Sequence, residues 1–355
     1  MVNKPEIHHQ AQSKRVLLYS LTFLAIAIIG LTYVKWLPYV DKSITAITTH
    51  SIGDSILGSD PDKTEPASFA GAWDYAVTYF TAVWKAAVLG ILLGSLLQVL
   101  LPANWLIRVL GKTSFASTAA GGLAAVPGMM CTCCAAPVAV GLRKKNVSVG
   151  AALAFWIGNP TLNPAALVFM TFVLSWKFTA LRLVFGLILT FGVSYLANRF
   201  VPAVQPVDTE KLLQQAAEEE QGSFLTRWLK SLGKMTLYIL PAYFLSVLLM
   251  GAVKGWLFPQ LGEATGSSII LLVLVAIGGM LFVIPTAAEI PIIQTFMAYG
   301  MGGGPAAVLL LTLPAVSLPS LLLVSKSFPK RVLVFVSASV VVLGVAAGIV
   351  GNYLL

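Results

Sequence analysis

An apolar stretch at residues 115–142 contains the segment Val126-Pro127-Gly128-Met129-Met130-Cys131-Thr132-Cys133-Cys134-Ala135-Ala136-Pro137. Because proline lacks the backbone N–H and clashes with the preceding turn, Pro127 and Pro137 prevent one continuous helix here. The two arms, about 11 to 17 residues each, are shorter than the roughly 20 residues that a helix needs to cross a bilayer. The pattern therefore predicts a re-entrant helical hairpin whose tip carries all three cysteines of the chain.

The composition around this segment is that of a membrane protein. The chain has 355 residues, of which 57% are hydrophobic and 10% are charged, and its mean hydropathy is +0.86. Soluble domains carry about 25% charged residues, so a water-soluble fold is excluded. The excess of 23 Lys and Arg over 14 Asp and Glu is typical of cytoplasmic loops in membrane proteins. It does not indicate a nucleic-acid surface.

The pattern of glycine and proline residues recurs in the second half of the chain. A second proline-broken apolar stretch covers residues 267–300, and offsets of 154 to 159 residues relate the two halves. The corresponding positions are Gly121 and Gly278, Gly122 and Gly279, Pro127 and Pro285, Pro102 and Pro259, Gly141 and Gly300, Pro160 and Pro314, and Pro164 and Pro319. We therefore predict two copies of one membrane unit.

The basic residues indicate how the two copies are oriented. With Lys85 set aside because it lies within a predicted helix, Lys and Arg divide evenly, 11 to each side, if every apolar stretch spans the bilayer. If both broken stretches are re-entrant hairpins, 16 lie inside and six outside, as the positive-inside rule requires. The six on the outside are Lys35, Lys42, Lys63, Lys177, Arg182 and Lys254. Each copy then has three spans, an odd number, so the copies are inverted.

The predicted fold is an all-α polytopic membrane protein with two inverted repeats and an additional N-terminal span. Each repeat has three spanning helices and one re-entrant hairpin. Residues 1–72 form a cytoplasmic tail, a first transmembrane helix over about residues 16–39 and an external loop from residue 41. Repeat 1 covers 73–201, a cytoplasmic linker covers 202–230, and repeat 2 covers 231–355. We expect the protein in a bacterial inner membrane.

The hairpin tip is the first candidate site. Thiolates are soft ligands suited to Cu(I) or trivalent arsenic, and Cys131, Cys133 and Cys134 can offer two or three sulfurs to one centre, with Met130 and Thr132 beside them. Their spacing is not that of a structural zinc site. Cysteine also packs well as a small apolar residue, and that alternative stays open.

Three polar residues elsewhere in apolar segments complete the candidate site. Glu289 corresponds to Cys131 at an offset of 158 residues. A carboxyl group inside a membrane segment is costly, which makes Glu289 a candidate proton carrier; a helix cap or an interfacial position is the alternative. Asn159 and Asn163 lie in the doubly proline-broken segment 158–164. They either line the substrate path or satisfy freed backbone groups.

These residues resemble the YraQ-type predicted permease family, which includes the ArsP-like exporters of trivalent organoarsenicals. The resemblance extends over most of residues 75–355 and rests on Cys131-Thr132-Cys133, Pro137, Gly141, the basic residues 143–145 and the stretch 150–155. Thr132 replaces the family's serine, Cys134 stands where glycine is usual, and two additional residues separate Pro127 from the cysteines. The resemblance implies an efflux permease for a small thiophilic solute such as methylarsenite, conferring arsenic resistance.

Two other functions remain open. One is export of a soft metal ion such as Cu(I) or Zn(II). The other is a membrane-embedded thiol enzyme, which is less favoured because two cysteines separated by one residue form only a strained disulfide. No phosphate-binding loop for a nucleotide is present in the sequence. We thus expect a transporter that is not an enzyme, with no cofactor or resident metal, partnered by a small solute and the bilayer, and we leave homo-oligomerisation open.

Overall fold

The computed structural model describes residues 4–57, 68–101, 103–201, 223–257 and 268–355. Within these ranges every regular element is a helix, and six helical segments are long and apolar enough to cross a membrane. These segments are Leu18–Thr49, Phe69–Leu100, Trp176–Phe200, Phe224–Val253, Gly303–Val324 and Lys330–Leu354. The chain is thus an all-helical, multi-pass membrane protein, as its composition predicted.

The N-terminal span is longer than the sequence suggested. Helix α1 (Lys4–Leu31) continues through a π-helical turn (Thr32–Trp36) into α2 (Leu37–Thr49), so the prediction of a loop from residue 41 was wrong. The hydroxyl groups of this part are satisfied within the helix, where they donate to carbonyls four residues earlier, as in Ser43 to Tyr39.

The first half of the chain consists of a long helix, a single short helix, two pairs of short helices and a second long helical segment. Its elements are α3 (Phe69–Leu100), α4 (Ala103–Leu110), α5 (Phe115–Ala125), α6 (Thr132–Lys144), α7 (Val149–Thr161), α8 (Pro164–Val173), α9 (Trp176–Leu187) and α10 (Ser194–Ala197). The predicted span 147–175 is broken between α7 and α8, where Asn163 caps α8 and Pro164 occupies its first turn.

Apart from α4, the second half repeats this order of elements in the described residues. It contains α11 (Phe224–Leu257), α12 (Ile269–Leu281), α13 (Glu289–Ala298), α14 (Gly303–Ala315), α15 (Leu318–Val324) and α16 (Lys330–Leu354). Residues 224–230, which we assigned to the linker, belong to α11. The remainder of the linker, 202–222, lies outside the described residues.

The two broken hairpins have tips with matching backbones. We call residues 126–131 the first tip and residues 282–288 the second tip. Met129 in the first tip has φ 49° and Ala287 in the second has φ 68°, although non-glycine residues rarely adopt the left-handed region. Ala287 follows Met129 by 158 residues, which is also the offset from Cys131 to Glu289. The tips therefore occupy equivalent positions in the two halves.

Small residues let the helices around the first tip approach closely. A Cβ on Gly90 of α3 would lie 2.2 Å from the carbonyl oxygen of Cys134 in α6, and one on Gly121 of α5 would lie 2.2 Å from that of Ala151 in α7. Such contacts are the usual means of tight helix packing in membranes. The contact at Gly90 holds the cysteine-bearing turn of α6 close to α3.

Candidate functional site

The cysteines lie at the start of α6. Cys131 precedes its first residue, and Cys133 and Cys134 are in its first turn. All three are buried free thiols. The Sγ atoms of Cys131 and Cys134 are 3.0 Å apart, whereas Cys133 faces Ser317 Oγ at 3.5 Å.

The thiol pair therefore joins residues three apart, a Cys-x-x-Cys spacing. From the sequence we considered a disulfide only between cysteines separated by one residue and overlooked this pair. The pattern was visible in the sequence, because residues three apart lie on the same face of a helix.

The two neighbours of Cys131 are tied to α7 through their backbones. Met130 donates its N–H to Asn159 Oδ1 at 3.3 Å. The carbonyl of Thr132 accepts from Trp156 Nε1 at 2.9 Å. Helix α7 thus positions the first tip, and the side chain of Met130 is buried.

Both asparagines of the predicted site interact with backbone groups. Asn159 Nδ2 donates to the carbonyl of Phe155 at 2.8 Å while its Oδ1 holds the first tip. Asn163 Oδ1 accepts from the N–H groups of Ala165 and Ala166 at 3.0 and 3.2 Å. Among the described residues, Asn163 Nδ2 is buried without a hydrogen-bond partner. Whether either side chain contacts substrate stays a prediction.

Glu289 is the first residue of α13 and is only 1% exposed. Its Oε1 lies 2.6 Å from Nη1 of Arg182, which is also 1% exposed. Its Oε2 is buried and has no hydrogen-bond partner among the described residues. One carboxylate oxygen is thus held by the ion pair and the other is available.

Arg182 lies in the candidate site, beside Glu289. Charge counting assigned it to the outside of the membrane, so the sequence did not predict it here. Its Nη2 donates to the carbonyl of Pro160 at 2.6 Å and its Nε to that of Thr161 at 3.3 Å. Its Nη1 donates to the carbonyl of Leu310 at 3.3 Å. The guanidinium therefore contacts both halves of the chain.

Lys35 was also assigned to the outside and is instead buried. Its Nζ donates to Tyr39 OH and to Thr286 Oγ1, both at 3.1 Å. The next residue, Trp36, donates from Nε1 to the carbonyl of Pro127 at 2.9 Å. The π-helical turn of the N-terminal span therefore bonds to both tips.

A small cavity lies between the two tips, with a volume of about 10 Å³. Its lining includes Cys131, Thr132, Thr286, Glu289 and Ser317. The structure thus brings the predicted sulfur and carboxyl groups to one space. A water molecule needs roughly 10–15 Å³ on this measure, so the cavity is closed to larger solutes in this conformation.

The surroundings of the cavity are electropositive. The N-termini of α6 and α13 both lie at the cavity, and helix N-termini carry partial positive charge. Arg182 and Lys35 add two cations, and Glu289 is the carboxylate that lines the cavity. Within the described ranges, no three His, Cys, Asp or Glu side chains cluster so as to hold a metal ion.

Similarity to known proteins shows which family the chain belongs to. A family model described as "Predicted permease", ArsP_1, matches residues 68–353. The chain belongs to this permease family. The resemblance noted from the sequence is thereby confirmed, and the membrane span that carries Lys35 and Trp36 lies outside the matched residues.

Two relatives are similar over most of their length. The UPF0718 protein YraQ of Escherichia coli (strain K12) is 51% identical over 326 residues, which is 92% of this chain and 92% of the relative. The UPF0718 protein MJ0584 of Methanocaldococcus jannaschii is 21% identical over 339 residues, covering 76% of this chain and 92% of the relative. No solved structure matches.

Proposed function

We propose that this permease exports a small thiophilic solute, a trivalent organoarsenical such as methylarsenite, from the bacterial cytoplasm. The observation that carries the proposal is the pair of Sγ atoms on Cys131 and Cys134, 3.0 Å apart, at a cavity shared with Glu289. Family membership supports a transporter over an enzyme.

Capture of methylarsenite at this pair is a balanced, redox-neutral exchange. Each thiol replaces one hydroxyl group on arsenic, so two S–As bonds form, two As–O bonds break and two waters leave. Soft thiolates favour this acceptor over hard cations. Because hydrolysis reverses the same step, the solute can be released on the other side.

Glu289 serves as the proton carrier in this proposal. Its free Oε2 can accept either a proton or a hydrogen bond from a hydroxyl group of the entering solute, before the thiols displace that group. Because Oε2 takes either the proton or the hydrogen bond from the solute at one time, proton binding and solute binding exclude each other. Such exclusivity is what an exchange of solute against protons requires.

The two halves act as inverted repeats that rock about the tips. Helix α6 of the first half packs on α15 of the second, and α13 of the second packs on α8 of the first. The long helices α3 and α11 pack on each other. Reciprocal contacts of this kind are expected when a two-fold axis relates the repeats, as in many secondary transporters.

One observation favours a second candidate, a membrane thiol oxidoreductase. A Cys-x-x-Cys pair at a helix N-terminus is the arrangement of dithiol redox sites. There, Cys131 and Cys134 would lose two electrons and two protons to an external disulfide or quinone and form a disulfide. Export of Cu(I) or Zn(II) uses the same sulfurs and is separated from arsenical export by substrate.

Uptake into everted membrane vesicles tests these functions. We expect the wild-type protein to accumulate methylarsenite, and Cys131→Ser and Cys134→Ser to lose accumulation by at least about tenfold. Cys133→Ser is the matched control, because its sulfur faces Ser317, and it should keep most activity. Absence of arsenical accumulation contradicts the proposal; accumulation of copper or zinc, or thiol oxidation without net transport, would favour the respective alternative.

A further inference from the structure

Arg182 connects the breaks in both halves of the chain to Glu289. Of the two carbonyl groups that Nη1 and Nη2 bond, that of Leu310 lies inside α14 and that of Pro160 lies in the last turn of α7. A helical carbonyl normally accepts from the N–H four residues later. Four residues after Leu310 stands Pro314, which has no N–H, and the carbonyl of Pro160 has no donor within α7 because that helix ends at Thr161. The guanidinium thus supplies one donor that a proline removes and one that a helix end lacks.

The same group also neutralises Glu289, at 2.6 Å. Both side chains are buried where water cannot screen them. Removing one partner of such a pair leaves an uncompensated charge in a medium of low polarity, which is strongly unfavourable. The closed packing around the cavity therefore depends on the charge balance between positions 182 and 289.

We propose that Arg182 is the positioning residue that couples the ionisation of Glu289 to closure of the cavity. With Glu289 ionised, the pair is neutral, and Arg182 holds α7 and α14 together. A proton added at Oε2 of Glu289 removes the negative charge of the pair. The guanidinium of Arg182 is then an unbalanced buried cation, and only contact with water stabilises it. The two halves then separate and expose the cysteines. This inference rests on the proposed role of Glu289 as the proton carrier.

The coupling is reciprocal. If protonation favours the open conformation, the open conformation must favour protonation by the same factor. Solute binding at the thiols can therefore change the affinity of Oε2 for a proton through the shared conformational change. An arginine is suited to this role because its planar fork serves several acceptors at once and stays charged.

Other titratable groups face Glu289 from the elements packed around it. Cys131 lines the same cavity from the first tip. Lys35 reaches the second tip through Thr286, and the hydroxyl group of Tyr75 on α3 donates to the carbonyl of Val283. The neighbouring helices α8 and α14 carry no titratable residue. The test must therefore distinguish Glu289 from these groups.

The experiment measures how fast the native cysteines react with a small thiol reagent in membranes without substrate. Rates are taken at several pH values from acidic to mildly alkaline. Each rate is divided by the rate for the same protein unfolded in detergent, which removes the pH dependence of the reagent and of an exposed thiol, and is compared with that of the double variant, which has neither charge. The variants are Glu289→Gln, Arg182→Gln, Arg182→Lys and the double variant R182Q/E289Q.

Charge balance predicts a different pattern for each variant. Wild-type labelling should rise about tenfold as the pH falls, a typical coupling between sites. Glu289→Gln should label fast at every pH, because Arg182 is unbalanced. Arg182→Gln should reverse the wild-type pH dependence, since the unpaired carboxylate opens the site only when ionised. The double variant should label slowly throughout, and Arg182→Lys should keep the wild-type direction.

A purely structural role for Arg182 gives other results. If it only satisfied carbonyl groups, Glu289→Gln would stay closed, and the double variant would be as open as Arg182→Gln. Either result overturns the inference. If Arg182→Gln does not accumulate in membranes, the comparison of Glu289→Gln with the double variant still decides. Because no solute is present, a failure to transport methylarsenite would refute the substrate proposal alone.

Discussion

Trp36 donates a hydrogen bond from Nε1 to the carbonyl of Pro127, at 2.9 Å. This bond joins the N-terminal span, which lies outside the family model, to the first tip. In the most apolar part of that span, only 6% of the residues are buried. Most of this part of the helix is therefore exposed on the outside of the protein, and Trp36 and the adjacent Lys35 bond it to the two tips.

Loss of these bonds should loosen the closed cavity. We expect Trp36→Phe and Lys35→Gln each to increase cysteine labelling in membranes several-fold, because a hydrogen bond is worth about 0.5–1.5 kcal/mol. Trp84→Phe is the control, since Trp84 is exposed on the outer face of α3. Equal labelling of all three variants and the wild type would show that the helix does not hold the tips.

A methyl group at Gly90 should destabilise the protein. Its Cβ would lie 2.2 Å from the carbonyl oxygen of Cys134, where two helix backbones meet. Gly233, in α11, has nothing within 4 Å of an added Cβ, so alanine there should stabilise by up to about 1 kcal/mol. Thermal unfolding in detergent should show a lower midpoint for Gly90→Ala than for Gly233→Ala. Matching midpoints would contradict the close packing of α3 on α6.

Mild oxidation should link Cys131 to Cys134 within one chain. Their Sγ atoms are 3.0 Å apart, and a disulfide needs about 2.05 Å, so a small movement suffices. The thiol reagent diamide takes up the two electrons and two protons released. Thiol counting by mass spectrometry should show loss of two thiols in the wild type and in Cys133→Ser. The same loss in Cys134→Ser would assign the reaction to another pair.

The predicted topology can be tested with two single cysteines in a background where the native cysteines are serine. Lys144 is the last residue of α6, and Lys177 is the second residue of α9. Our charge count places residue 144 in the cytoplasm and residue 177 outside. An impermeant maleimide added to intact cells should therefore label Lys177→Cys and leave Lys144→Cys unlabelled. External labelling at residue 144 would refute the hairpin model.

Much of the fold follows from local rules that the sequence displays. Pro127 predicted a break, and the structure interrupts the helix there, because a missing N–H acts on its own turn. Pro137 lies inside α6, so the expectation of a break at that proline was wrong, and α7 continues through Pro160 to end one residue later. The recurrence of these prolines at similar offsets predicted the repeated order of elements. Apolar content alone predicted the membrane class.

The rest of the site depends on contacts between distant residues. Arg182 lies 107 positions before Glu289, and Lys35 lies 251 before Thr286. Charge counting assigned both cations to external loops, since it treats every basic residue alike. A search for the carbonyl group four residues before Pro314 would have indicated that a buried donor was needed. The span to Thr49 was also missed, because serine and threonine are favoured in loops.

The cavity of about 10 Å³ has a consequence for cells that make the protein. A space for one water molecule is too small for a hydrated ion, so this conformation gives ions no route past the two tips. Overproduction in the absence of substrate should therefore leave the proton-motive force intact, and growth on respiratory carbon sources should not suffer.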